Sequence, residues 1–185
     1  FILNGTLTYN KAKYKYIEEA TNKPAWQRKT GHEISQAMGY IAEGRFRDLD
    51  EIDNSPRQDG DVMPGDIKYR DVNGDGVVNS EDQVMISPYG STPRIQYGLG
   101  LNVTWKKLDG GVFFNGSAKR TLMLSGIRPF GENNNNLMKF IADDHWSVDN
   151  PNPNAAYPRL GLNDQLVSNN TVSSTYWMRN GNFIR

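Results

Sequence analysis

Cysteine is absent from this chain of 185 residues, and histidine occurs only at His32 and His145. The first absence excludes disulfides, thiolate zinc sites and cysteine nucleophiles, and says nothing about compartment. The second leaves a zinc site at most two imidazoles. His145 follows Asp143 and Asp144, but adjacent acids on a helix diverge rather than converge on one bond, and neither a nucleophile nor a second histidine stands at ligand spacing. No enzymatic centre is expected. An excess of one charge is also missing, with 21 Lys and Arg against 21 Asp and Glu. Without a basic stripe, neither nucleic acid nor an anionic bilayer is an expected partner. No apolar run approaches the roughly 18 residues of a membrane-spanning helix. Barrel strands alternate in character and escape that criterion.

What the chain does contain is 37 % hydrophobic and 11 % aromatic residues, enough for a core, and one conspicuous oxygen-rich stretch. Residues 71–82 read D-V-N-G-D-G-V-V-N-S-E-D. Asp71, Asn73, Asp75, Asn79 and Asp82 fall at positions 1, 3, 5, 9 and 12, the spacing of a calcium-binding loop. In such a loop Asp71, Asn73 and Asp75 each offer an oxygen, Gly76 makes the turn, Val77 offers its carbonyl, and Asn79 and Asp82 complete the shell. Asp82 stands where an EF-hand carries Glu. The competing reading is a solvated turn, because Asn, Asp and Gly favour turns with or without metal.

The rest of the chain alternates with period two. Phe1 to Lys13 places Phe1, Leu3, Gly5, Leu7 and Tyr9 on one face and opens directly as a strand, without a signal-peptide pattern. Residues 95–106 put Ile95, Tyr97, Leu99, Leu101, Val103 and Trp105 opposite Gln96, Gly98, Gly100, Asn102, Thr104 and Lys106. A tight turn is expected at residues 107–111, followed by a returning strand over 112–124. This hairpin exceeds ordinary strand length and suits a tilted crossing of a bilayer. Residues 48–55 predict a short helix capped by Asp48. Residues 136–145 predict another, capped by Asn135 or Asn136. Residues 160–174 read as polar loop, and a last strand starts at Thr175. Both ends fall within strand patterns, which suggests a piece of something longer.

Several blocks together resemble the carboxy-terminal part of SusC/RagA-type TonB-dependent transporters of Bacteroidota outer membranes. They are residues 64–76 (P-G-D-I-K-Y-R-D-V-N-G-D-G), Thr92-Pro93 before Tyr97-Gly98, Phe113 to Gly116, Ala142 to Trp146, Asn154 to Arg159, and Trp177 to Arg185. The resemblance implies an all-β fold: antiparallel strands forming part of a large transmembrane β-barrel of about 22 strands, with long extracellular loops carrying short helices. Residues 1–185 would be a piece of that barrel domain lacking the plug, with loop 71–82 inside an extracellular insertion. The implied function is uptake of oligosaccharides or peptides across the outer membrane. The implied partners are a SusD-like surface lipoprotein, TonB through other parts of the receptor, and outer-membrane lipid. Calcium would be structural.

The alternative is a secreted β-rich, calcium-stabilised carbohydrate-binding module in which Trp26, Trp146 and Trp177 stack on sugars. The two differ in one observable: a soluble module must cover the strip from Tyr97 to Trp105 with a second layer, and a barrel leaves it bare. Arg128 and Arg159 are expected to pin the long loop to the barrel rim.

Overall fold

The computed structural model describes residues 1–124, 137–161 and 164–185, with side chains over the same ranges except 164–167. Its strands are β1 (Ile2–Tyr9), β2 (Ala37–Gly39), β3 (Ala42–Arg45), β4 (Ile67–Tyr69), β5 (Val84–Ser87), β6 (Ile95–Trp105), β7 (Leu108–Ala118), β8 (Thr121–Met123), β9 (Met178–Asn180) and β10 (Phe183–Ile184). Three short helices, α1 (Leu49–Asp53), α2 (Lys139–Asp143) and α3 (Asp164–Thr171), lie among them. Every strand pairing with a described register is antiparallel. The chain divides into two units: 1–37 with 87–123 and 178–185, and 38–86 with 124–177.

The first unit is built on a four-stranded sheet in the order β1-β6-β7-β10. Register aligns the alternation of each strand with its neighbour: Leu3 faces Leu101, Leu7 faces Tyr97, Leu99 faces Phe114 and Leu101 faces Val112. One face is therefore apolar across the sheet, and the other carries Asn4, Thr6, Gln96, Asn102 and Asn115. The hairpin turn is Lys106-Lys107, because Trp105 already pairs with Leu108. The expected turn at 107–111 is thus misplaced. Lys106 adopts φ 58°, the left-handed conformation a two-residue hairpin loop demands, and Leu108 extends the returning strand in phase with Val112 and Phe114. Two glycine contacts fasten the sheet. A Cβ on Gly100 would lie 3.1 Å from the Phe113 ring, and one on Gly116 would run into Tyr97 and the Phe183 carbonyl. β8 and β9 form a separate ribbon. The strand expected from Thr175 is broken in two at residues 181–182.

The second unit holds all the hydrophobic core among the described residues: Phe46, Ile67, Tyr69, Val78, Ile141, Trp146, Ala155 and Trp177 are buried. β3 pairs with β4. α1 starts where expected, with Asp48 accepting the Glu51 N–H at 2.8 Å. α2 is shorter than expected, and its N-cap, Met138, has no side-chain cap. The predicted cap residues Asn135 and Asn136 lie outside the described residues. α3 corrects the loop expected over 160–174. Asn169 donates to the Ile67 carbonyl at 2.7 Å, and Asn170 accepts the Ile67 N–H at 2.9 Å. Amides bonded to a strand about 100 residues away hold the end of this helix, so no apolar stripe announces it.

Candidate functional site

The calcium-type loop sits in the second unit and is a chain of side-chain-to-backbone turns. Asp71 accepts the Gly74 N–H at 2.6 Å and the Gly76 N–H at 2.8 Å. Asn73 accepts from Asp75 at 3.0 Å, Asp75 from Val77 at 2.8 Å, and Asn79 from Glu81 at 2.7 Å. Gly74 and Gly76 adopt φ 77° and 84°, conformations that glycine tolerates and that let the loop reverse tightly. Asp82 is fully buried. One of its oxygens accepts the Val72 N–H at 2.8 Å, the other the Asn79 N–H at 2.8 Å, so it closes the loop from within. The Gly76 N–H, then those of Gly74 and Asp75 and the Asp82 side chain, hold the Asp71 carboxyl below its ordinary value.

The donors are all oxygen, the chemistry that suits a hard cation. The Asp71 oxygens and the second Asp82 oxygen each keep a further lone pair, whereas the first Asp82 oxygen accepts both the Val72 and the Asn73 N–H. Among the described residues, however, no three Asp, Glu or His side chains gather as a metal-holding group. A cation here would depend on Asn73, the Val77 carbonyl and Asn79 as much as on Asp71, Asp75 and Asp82.

The remaining sequence candidates are dispersed. His32 is exposed and His145 half-buried, the latter with Nδ1 2.7 Å from the Ala142 carbonyl. Asp143 and Asp144 are exposed, and Asp143 pairs with Lys139 along α2. Trp146 and Trp177 are buried, and Trp177 donates to the Asn170 carbonyl at 2.7 Å. They pack the core and are closed to sugars. Trp26 is partly exposed. Arg159 forms a fork with Asp66, both contacts at 2.9 Å, and so staples one part of the second unit to another. Arg128 lies outside the described residues.

Two clusters escaped the sequence reading. Arg45, at the end of β3, donates to the carbonyls of Ala155 (2.6 Å) and Tyr157 (3.1 Å) and to the Tyr176 hydroxyl (3.1 Å). Asp66, almost fully buried, accepts from Asn170 at 2.7 Å as well as from Arg159. An arginine in an ordinary strand and an aspartate before another give no local signal of partners so far along the chain.

The decisive surface is the apolar face of the first unit's sheet. Leu99, Leu101, Val103 and Trp105 are 51 %, 38 %, 44 % and 64 % exposed, and Leu3, Leu7, Val112 and Phe114 are bare as well. Lys106 lies over the Trp105 ring at 5.0 Å, while Tyr9 and Tyr97 lie toward the other end of the hairpin. Aromatics thus flank an aliphatic band.

No family model matches the chain. Over 156 residues, 84 % of its length, it is 29 % identical to the protein named TonB-dependent receptor P26 of Formosa agariphila. The match covers 15 % of that protein, so the chain spans less than two thirds of its relative. The similarity supports the TonB-dependent receptor family, and the antiparallel all-β architecture is consistent with a section of such a receptor's barrel.

Proposed function

We propose that this chain is a wall section of a TonB-dependent outer-membrane importer, a transporter and not an enzyme. The observation that carries the reading is the bare face of β1, β6 and β7. Exposing such side chains to water costs about 1.5–3 kcal/mol each, on the order of 10 kcal/mol for this face, which lipid would relieve. The eleven-residue strands β6 and β7 are about 36 Å long, or about 28 Å along a membrane normal at a tilt near 40°, close to the hydrocarbon thickness of about 30 Å. The outer edge of β1 needs a further strand, since an open edge is not tolerated in hydrocarbon. A secreted carbohydrate module is disfavoured by the same bare face and by the burial of Trp146 and Trp177.

The finer reading is a SusC-like importer of oligosaccharides or peptides, working with a SusD-like lipoprotein and driven through TonB. It is supported by the motif blocks at 64–76 and 177–185. The loop 71–82 is a structural calcium site: Asp71, Asn73, Asp75, Val77, Asn79 and Asp82 would hold the ion, which would stiffen the loop by linkage without chemistry on substrate. The wall reading is tested by expressing the receptor that contains this chain and fractionating the cells. Recovery in the outer membrane with heat-modifiable mobility is expected; a soluble product would overturn it.

A further inference from the structure

On the opposite face of the same sheet, Ser117 is 4 % exposed and its Oγ has no hydrogen-bond partner. The Nε of Arg120 is likewise buried and unpartnered. Buried polar atoms rarely go unsatisfied, and two of them on one cavity point to a missing ligand. That cavity, of about 390 Å³, is lined by Thr6, Thr8, Gln96 and Asn115, which carry hydroxyls and amides, as well as by Ser117 and Arg120. Phe113 forms part of its wall: the ring rests on Gly98 and Gly100, yet the residue is 64 % exposed. It is supported from beneath and free above. Arg120 also lines a second cavity, of about 460 Å³, beside Lys119, Arg179, Asn180 and Asn182. Among the described residues, neither lining contains a carboxylate.

We propose that these two cavities form a subsite for an acidic oligosaccharide. Sugar hydroxyls meet the Thr, Ser, Gln and Asn groups, one sugar face stacks on Phe113, and a carboxylate or sulfate substituent pairs with Arg120. A peptide fits less well, because extended peptides add to a free strand edge, and beside this cavity β6 is flanked by β1 and β7 while β7 is paired with β10 at Gly116 and Ser117. A lipid headgroup fits less well too, because the first cavity opens on the face opposite the bare apolar one. The proposal rests on the importer reading, under which this face borders a solute path.

The test uses the full-length receptor in detergent and three labelled oligosaccharides of equal length: an oligogalacturonate, a sulfated galactan oligomer and a neutral cello-oligosaccharide. At least one acidic oligomer is expected to bind about tenfold or more tighter than the neutral one, with a preference that shrinks as salt is raised. Arg120→Met keeps the stem that packs on Gly181 and should abolish the preference, whereas Phe113→Ala should weaken acidic and neutral oligomers alike. No acidic preference, a preference that survives Arg120→Met, or displacement by phosphatidylglycerol micelles would overturn the subsite. Heat-modifiable mobility of the same samples reports the barrel separately. A folded barrel without acidic preference sinks the subsite alone, and its absence sinks the wall reading.

Discussion

Arg45 shows how much one side chain can organise. Its guanidinium reaches the Tyr176 hydroxyl and the carbonyls of Asn152, Pro153, Ala155 and Tyr157, in a segment rich in Pro and Asn with little regular structure of its own. Charge-assisted bonds of this kind are worth about 1.5–3 kcal/mol each at most and do not add fully. Arg45→Met is therefore expected to destabilise the second unit by about 2–4 kcal/mol and to open residues 150–157 to protease first; an unchanged cleavage pattern in the receptor would contradict this role. Glu19 plays a similar part in the first unit. It accepts the Lys29 N–H at 2.8 Å and the Thr30 N–H at 3.2 Å, with Lys23 at 3.1 Å. The Lys29 N–H foremost, then Thr30 and Lys23, lower its carboxyl from 4.5 to about 2. Because the folded value is depressed, the contribution is present above pH 4.5 and is lost as pH falls toward about 2. Hydrogen exchange at the Lys29 and Thr30 amides is expected to show protection at pH 5 that disappears near pH 2, and to show none in Glu19→Gln at either pH.

At the scale of elements, the hairpin β6–β7 and the loop 71–82 make separate predictions. Leu101 and Asn102 are neighbours on β6 that face opposite sides of the sheet. If the apolar face meets lipid, Leu101→Arg costs about 2–4 kcal/mol near the bilayer midplane, while Asn102→Arg is nearly neutral. Denaturant unfolding of the receptor in bilayers measures the difference, and equal costs for the two would remove the asymmetry on which the wall reading rests. For loop 71–82, added calcium is expected to slow amide exchange at Gly74, Gly76 and Val77, and Asp75→Asn to diminish that effect. Exchange that ignores both calcium and chelator would leave the loop as a ladder of turns. Its appearance in the sequence follows from local chemistry: Asp71, Asn73, Asp75 and Asn79 bond to backbone groups two to five residues away, so spacing and structure are nearly the same information. Asp82 differs, since its bond to the Val72 N–H spans ten residues.

At the scale of the whole molecule, the two units bury different things. The first presents an exposed apolar face, and the second carries every buried hydrophobic residue among the described residues. The first was legible in the sequence. Alternation over residues 2–9 and 95–118 determined the long strands, their antiparallel hairpin and which side chains share a face, because a strand's geometry forces period two whatever surrounds it. Local turn chemistry likewise determined α1 with its Asp48 cap and the course of loop 71–82. Tertiary structure alone decided the rest. It placed the turn at Lys106-Lys107, made a helix of residues 164–171, buried Trp146 and Trp177, tied Asp66 to Arg159 and Asn170, and left the Ser117 Oγ and the Arg120 Nε without hydrogen-bond partners beside one cavity. Each depends on groups brought together from tens of residues or more apart, or on the backbone twist of a neighbouring strand, and such contacts leave no period or spacing in the chain that makes them.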